Sequence, residues 1–255
     1  MYTKMKYGKK YIFMSLGVIL LLSVAFLSAG CGKKYVDIKV FQYETGDDGS
    51  ITITGLTDKG ESDSLLNVPA SIDGAKVVSI GAGAFRDNDC VNKVVIEEGV
   101  ERISENVFLN CTMLKDITIP ASVSTIGTNA FGGTEWEKAK LDGANEVVVN
   151  NILVKVKAGM KEYTMPSEVK KLAPGLFYSN TEITKVIVNS GLEYIGDYCF
   201  ADCPALTQVQ LPAGIKEIGY CAFNNCTALE INVPAGVASI GQDAFTNVLK
   251  VEYAE

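Results

Sequence analysis

Apolar and polar residues alternate over short segments of this chain. In one of them, Ile117 and Ile119 are separated by Thr118 and preceded by Asp116. This two-residue alternation predicts a strand with one buried and one exposed side. Pro120 is expected to end the strand, because proline has no N–H to donate to a neighbouring strand.

The residues that follow this strand predict a return to the interior. Val123 and Ile126 are expected to point inward again, and Gly127 allows a tight bend. Ala130 is small enough for a crowded position, and Phe131 supplies a ring for the centre. The bend between Gly127 and Phe131 is too short for a full helix, so it predicts a 3₁₀ turn or a single helical turn.

The whole unit recurs at a fixed spacing. Its last part, Ile-Gly-x-x-Ala-Phe, ends in phenylalanines that are 22 or 23 residues apart, with one gap of 46 that equals two periods. A short fixed period predicts a stacked solenoid in which each coil contacts mainly its neighbours. The repeated phenylalanines are Phe85, Phe108, Phe131, Phe177, Phe200, Phe223 and Phe245.

Equivalent strands on successive coils are expected to lie parallel, ~4.8 Å apart. The predicted fold is therefore mainly β, a leucine-rich-repeat solenoid of about eight coils of ~23 residues, with a parallel sheet and short 3₁₀ or helical turns. The inward pairs on the strands are Val94/Ile96, Ile117/Ile119, Tyr163/Met165, Val186/Val188, Val209/Leu211 and Ile231/Val233.

Outward positions on these strands supply the candidate binding surface. They are mixed in chemistry, which favours a flat contact with a protein or glycan over an ion or metal site. One expected row across the sheet consists of Val95, Thr118, Thr164, Ile187, Gln210 and Asn232. A parallel row consists of Lys93, Asp116, Glu162, Lys185 and Gln208.

Residues 134–160 interrupt the pattern. Leu172 follows Phe131 by 41 residues, where a regular coil uses 18, and the excess of 23 is one period. The simplest prediction is therefore a modified coil that keeps the stack in phase, with Val149 in the isoleucine position. The alternative is a hairpin that leaves the stack and turns at Asn150 and Asn151. Trp136 at the start of this segment is expected either to fill the core or to serve as an exposed anchor for a partner.

Residues 41–76 are expected to cap the start of the solenoid, whose first coil would otherwise expose unpaired backbone. Two strand-like segments flank the sequence Asp47-Asp48-Gly49, which predicts a hairpin turn. This sequence lacks the alternating acids and the distal glutamate of a calcium loop, so no metal is expected there. The solenoid proper is assigned to residues 77–255.

The pattern Cys-x-x-Leu-x-x-Ile-x-Ile-Pro-x-x-Val-x-x-Ile-Gly-x-x-Ala-Phe resembles the BspA-like, or Treponema-type, bacterial leucine-rich repeat. The resemblance covers residues 77–133 and 160–247. It implies a curved right-handed solenoid at a cell surface, with a role in adhesion to host or neighbouring-cell proteins. The family has no shared catalytic residues to assign to this chain.

The first thirty residues resemble a bacterial lipoprotein signal peptide. Four lysines precede an apolar run over residues 11–27, and Ser28, Ala29 and Gly30 lead to Cys31. Acylation of Cys31 would attach the exported chain to the membrane, with residues 31–40 as a tether. The apolar run is longer than a typical signal and Ser28 replaces the usual leucine, so an uncleaved signal anchor is the alternative.

Loss of residues 1–30 would make the chain more acidic. It removes four of 23 Lys and Arg residues and none of the 30 acids, which leaves 19 against 30 and a net charge of −11. The sequence has no basic stripe, so nucleic acid is not an expected partner.

Six cysteines follow Cys31, and three of them share one repeat position, three residues after the phenylalanine. Cys111, Cys203 and Cys226 are expected at buried bends, where the side chain bonds neighbouring backbone. Because an exported protein can form disulfides, Cys203 with Cys226 and Cys199 with Cys221 are alternative pairs. The sequence leaves the state of Cys90, Cys111, Cys199, Cys203, Cys221 and Cys226 open.

The chain contains no histidine, which excludes Ser-His-Asp and Cys-His catalysis. Paired carboxylates fall at predicted turns, and no motif indicates a cofactor. The sequence therefore predicts a non-enzymatic, membrane-anchored extracellular binding module for a protein or glycan. The alternative is a structural or assembly component of the cell envelope, and the sequence identifies neither a ligand nor an oligomeric state.

Overall fold

The computed structural model describes residues 38–254. The predicted signal segment, the lipidation candidate Cys31 and most of the tether lie outside these residues. Two 3₁₀ helices, Ile38–Val40 and Gly60–Ser62, lie near the start, and one α-helix, α1, spans Glu135–Gly143. The strands are β1 (Phe41–Thr45), β2 (Ile51–Leu56), β3 (Leu65–Val68), β4 (Ser71–Ile72), β5 (Ala75–Ile80), β6 (Lys93–Ile96), β7 (Arg102–Ile103), β8 (Asp116–Thr118), β9 (Thr125–Ile126), β10 (Glu146–Val149), β11 (Ile152–Val156), β12 (Glu162–Thr164), β13 (Lys171–Leu172), β14 (Lys185–Ile187), β15 (Tyr194–Ile195), β16 (Gln208–Val209), β17 (Glu217–Ile218), β18 (Glu230–Val233), β19 (Ser239–Ile240) and β20 (Lys250–Tyr253).

These strands form a mainly β solenoid of about nine turns with ~23-residue coils, which confirms the predicted fold class. Each regular coil contributes one strand to each of two sides. The front face contains the strands that carry the predicted inward pairs, β6, β8, β12, β14, β16 and β18, together with β3 at its start and β20 at its end. The back face contains the longer strands β5 and β11 and the two-residue strands β7, β9, β13, β15, β17 and β19, each of which ends at the repeated isoleucine or leucine.

The front face is not one sheet. Strands β3, β6 and β8 form one parallel ladder, β12, β14 and β16 form another, and β18 pairs with β20. The prediction of a single outward row across one sheet is therefore wrong. The irregular coil separates the first two ladders, because it places a helix where a regular coil has its front strand.

The third side of each coil, the turn side, consists of the Gly-x-x-Ala-Phe segments. The expected 3₁₀-type hydrogen bonds are present, for example from Ala130 N to Gly127 O at 3.3 Å and from Gly132 N to Asn129 O at 3.0 Å. A left-handed residue such as Asn129, with φ of 51°, then bends the chain, so consecutive turns form instead of a helix.

Backbone hydrogen bonds also join the turn segments of successive coils. The Phe85 N–H donates to Val107 O at 3.0 Å, and the Phe108 N–H donates to Ala130 O at 2.7 Å. The buried turn backbone is therefore satisfied by the neighbouring coil, as a packed interior requires.

The irregular coil combines both predicted alternatives. Strands β10 and β11 form an antiparallel hairpin at Asn150, and β11 then joins the back face by pairing with β13. The placement of Val149 in the isoleucine position is wrong, because Leu153 pairs with Leu172 while Val149 pairs with Ile152. The hairpin turn reverses the chain, so the residue in the isoleucine position, Leu153, lies on the second strand of the hairpin.

The irregular coil also divides the interior into two hydrophobic cores. The first contains Phe85, Phe108 and Phe131, and the second contains Phe200 and Phe223, all of which are buried. Trp136 is half-buried, and its ring lies 4.8 Å from that of Phe131, where it ends the first row of rings. This contact supports the core-filling interpretation of Trp136.

Strands β1 and β2 form an antiparallel hairpin at the start of the described residues. Its turn lies at Gly46–Ser50, where the Asp48 carboxylate accepts hydrogen bonds from the Ser50 N–H at 2.9 Å and the Ser50 hydroxyl at 2.7 Å. These bonds explain Asp48 as a turn residue. They also hold the pKa of its carboxyl below the ordinary value.

Candidate binding surface

The outward residues of the front face lie where strand alternation places them. Thr118, Thr164, Gln210 and Asn232 are exposed, and 44% of Ile187 is accessible to solvent. Val95 is half-buried and contributes less surface. Ile187 therefore contributes exposed apolar area at the end of strand β14.

The structure brings these residues together in two groups. Val95 lies opposite Thr118, and Thr164 lies opposite Ile187 in the next ladder. Two further members of the row were not predicted from the sequence. Asn67 pairs with Val95, and Glu252 pairs with Asn232.

The missed residues lie outside the 23-residue spacing, which is why the period did not reveal them. Asn67 lies between Leu66 and Val68, which are both buried. The local alternation of buried and exposed residues was the available signal for this position. Glu252 lies on the last described strand, β20.

Ile187, Gln210 and Asn232 line one open cavity of about 760 Å³ on the front face. Pro212 and Pro234, which follow the strands, form part of its wall. The lining includes one cation, Lys185, and one carboxylate, Glu230, so it carries no strong field of either sign.

The parallel front row pairs opposite charges on adjacent strands. Lys93 forms an ion pair with Asp116, and Lys185 lies opposite both Glu162 and Gln208. The ion pair is exposed and contributes little stability. These contacts make the row nearly neutral, which suits contact with an uncharged surface.

The repeated cysteines are buried at bends, as predicted. The thiols of Cys111, Cys203 and Cys226 donate to the carbonyl oxygens of Phe85, Phe177 and Phe200, each at 3.0 Å. Burial raises the pKa of Cys111 to about 11 and that of Cys226 to about 12. A thiol with so high a pKa is a poor nucleophile at neutral pH.

All six cysteines of the described chain are free thiols. The alternative pairs Cys203 with Cys226 and Cys199 with Cys221 are therefore not bonded in this structure. Cys90 is the exposed member of this set, and a hydrogen bond to Asp89 raises the pKa of its thiol.

Over residues 38–254, His, Cys, Asp and Glu side chains do not gather in any group of three or more that could hold a metal ion. Within the same residues, no helix has the length and apolar character needed to cross a bilayer.

Comparison with known proteins identifies the repeat. The family model for the BspA type leucine rich repeat region matches residues 78–154 and 155–252, in six copies. No curated protein matches the chain.

Several solved structures resemble the fold at low identity. A Treponema pallidum leucine rich repeat protein is 24% identical, with 86% of this chain and 91% of that chain covered and a TM-score of 0.44. The pneumococcal vaccine antigen PcpA is 17% identical, with 81% and 77% covered and a TM-score of 0.38. A leucine rich cell surface protein of Faecalibacterium prausnitzii is 18% identical, with 87% and 94% covered and a TM-score of 0.34.

Proposed function

Because this chain belongs to the family of BspA-type leucine-rich repeat proteins, we propose that it is a non-enzymatic binding module at the bacterial cell surface, which recognises a protein or glycan with its front face. The observation that carries this proposal is the front cavity of about 760 Å³ with Ile187, Gln210 and Asn232 on its lining. A solenoid face of this kind offers an extended surface for a macromolecular ligand.

The chemistry of the front face supports a flat contact. Exposed Ile187 supplies apolar area, while the Gln210 and Asn232 amides can both donate and accept hydrogen bonds. Ile187 and Asn232 lie on strands, so their backbone is already ordered before a ligand binds.

Substitution of three front-face residues by lysine tests whether the front face is the binding surface. In a protein of residues 36–255, which contains both cores, the changes Ile187→Lys, Gln210→Lys and Asn232→Lys together should abolish binding to intact epithelial or bacterial cells. The long charged side chains block the cavity and resist desolvation, while the outward positions leave the fold intact. Flow cytometry of the labelled protein measures binding, and circular dichroism checks folding.

The matched control adds three lysines to the back side, by Ser124→Lys, Thr125→Lys and Ser239→Lys, all at exposed positions. This variant should bind like the unmodified protein. If the control loses binding and the front variant retains it, the binding surface lies on the back side and the proposal is wrong.

We also infer that Cys31 is acylated and holds the exported protein at the membrane. The support is the sequence around it, a lysine-rich start, an apolar run and small residues directly before the cysteine. Cys31→Ser should prevent lipid labelling with an alkyne palmitate analogue and change the fractionation of the full chain. If the variant is labelled and fractionates like the wild type, the uncleaved-anchor alternative is correct.

A further inference from the structure

Three tyrosines form an exposed row on the turn side of consecutive coils. The rings of Tyr178 and Tyr198 have centroids 6.4 Å apart, and those of Tyr198 and Tyr220 are 5.2 Å apart. Their solvent-exposed fractions are 55%, 43% and 39% respectively. Neither core uses these rings, so their contribution to folding does not explain them.

Tyr198 occupies a backbone position that is unfavourable for a large side chain. Its φ is 53°, in the left-handed region, where a side chain crowds the following carbonyl. The same position in the other coils is filled by residues that tolerate this conformation, with the buried Cys221 as the exception; the others are Gly83, Asn106, Asn129, Gly175 and Asp243. A tyrosine that the backbone disfavours and that projects into solvent indicates selection for its ring.

A cavity of about 550 Å³ adjoins the row where the irregular coil interrupts the turn side. Tyr178 and Tyr198 line this cavity together with Thr128, Asn129 and Lys155. Regular turn segments are joined by backbone hydrogen bonds, such as that from Gly175 N to Asp197 O at 2.8 Å. Across the interruption, the Thr128 hydroxyl donates to Pro174 O at 3.0 Å.

The lining of this cavity is nearly neutral and rich in hydrogen-bonding groups. Lys155 is its single charged side chain. Burial raises the pKa of the nearby Glu137 carboxyl, and the positive charge of Lys155 partly opposes that shift. Next to the cavity, hydrogen bonds with Cys221 and Tyr198 raise the pKa of Tyr220 to about 12.

We propose that the tyrosine row and the adjoining cavity form a binding site for a linear, uncharged oligosaccharide. Sugar rings present C–H faces that pack on aromatic rings, and their hydroxyl groups match the hydroxyls and the Asn129 amide of this surface. An anionic ligand would favour a cluster of basic groups, and the lining holds a single one, Lys155. The row extends over three coils, with ring centroids 6.4 Å and 5.2 Å apart, which suits a short chain better than a single sugar.

Titration calorimetry with residues 36–255 tests the proposal. The probes are cello-, xylo-, laminari-, malto- and chito-oligosaccharides, with a heparin oligosaccharide and a proline-rich peptide as comparators. At least one of the uncharged sugars should bind. Binding of the heparin oligosaccharide or of the peptide alone, or of none of the probes, overturns the proposal.

Tyr198→Asn separates the ligand role from a folding role. Asparagine suits the left-handed position, so the variant should melt at the same or a higher temperature while its affinity for the sugar falls by about tenfold or more. Tyr43→Asn changes a tyrosine of similar exposure, 40%, on the first strand and should leave sugar binding unchanged. Unchanged sugar affinity in Tyr198→Asn, or a lower melting temperature, contradicts the proposal.

This site is independent of the front face. The variant Ile187→Lys, Gln210→Lys, Asn232→Lys should therefore bind the sugar with wild-type affinity, even where it no longer binds cells. Loss of sugar binding in that variant, with Tyr198→Asn unaffected, would instead place the sugar on the front face.

Discussion

At the scale of single residues, the phenylalanine that ends each repeat stabilises the coil through its neighbour in the stack. Phe200 is fully buried, and its ring lies 5.0 Å from the rings of both Phe177 and Phe223, nearly parallel to each. Such pairs contribute about 0.5–1.5 kcal/mol beyond the burial of apolar area. Phe245 is only half-buried and has one phenylalanine neighbour, Phe223.

Phe200→Ala should lower the free energy of unfolding by about 3–5 kcal/mol, because it leaves a cavity between two stacked rings. Chemical denaturation monitored by circular dichroism measures the change. Phe245→Ala is the matched control and should cost clearly less, since solvent already reaches this ring. Equal losses at the two positions would show that stacking and burial do not determine the effect.

At the scale of the repeated element, the glycine that follows the isoleucine allows successive coils to approach closely. A Cβ atom on Gly219 would lie 2.6 Å from Asp197 N and 2.5 Å from Asp197 Oδ1, so the coils would have to move apart. Two copies of the repeat, at residues 103–108 and 172–177, depart from the Ile-Gly-x-x-Ala-Phe pattern and carry Ser104 and Ala173 at this position. The requirement for glycine thus depends on the local spacing of two coils.

Gly219→Ala should destabilise the protein by about 1–3 kcal/mol, as overpacking of a close contact does. Gly214→Ala is the matched control on the same coil. Its Cβ would meet nothing nearer than Ser190 O at 3.9 Å, and the change should stay within about 0.5 kcal/mol. Thermal melts of both variants measure the difference, and a neutral Gly219→Ala would contradict the close approach.

At the scale of the whole described molecule, the two hydrophobic cores imply that the solenoid does not unfold as one unit. Coils interact mainly with their neighbours, and the helix and hairpin of the irregular coil separate the core around Phe108 from the core around Phe223. Local stability in such a stack varies along its length.

Phe108→Ala should accelerate amide hydrogen exchange in the neighbouring coils of the first core and leave the coils around Phe223 close to wild type. Phe223→Ala should produce the reciprocal pattern. Mass spectrometry of peptic fragments resolves the two halves. A uniform increase in exchange along the chain in either variant would show that the irregular coil transmits the damage and that the stack is a single cooperative unit.

The sequence alone determined the coil, its period and its inward residues. Ile117, Ile126 and Phe131 are buried as predicted. Each coil packs against a near copy of itself, so the spacing of apolar residues within one coil also determines which residues meet between coils. The outward direction of Thr164 and Ile187 followed from the same alternation.

Only the tertiary structure decided what happens where the repeat fails. Helix α1 was missed, although Thr134 followed by Glu137 is a helix-start signal and the Thr134 hydroxyl accepts the Glu137 N–H at 3.0 Å. The separation of the front ladders on either side of the irregular coil and the cavity next to the tyrosine row depend on how unlike coils meet. The repeat period describes contacts between like coils only. The cavity beside the irregular coil, which Tyr178 and Tyr198 line, could therefore be recognised only in the tertiary structure.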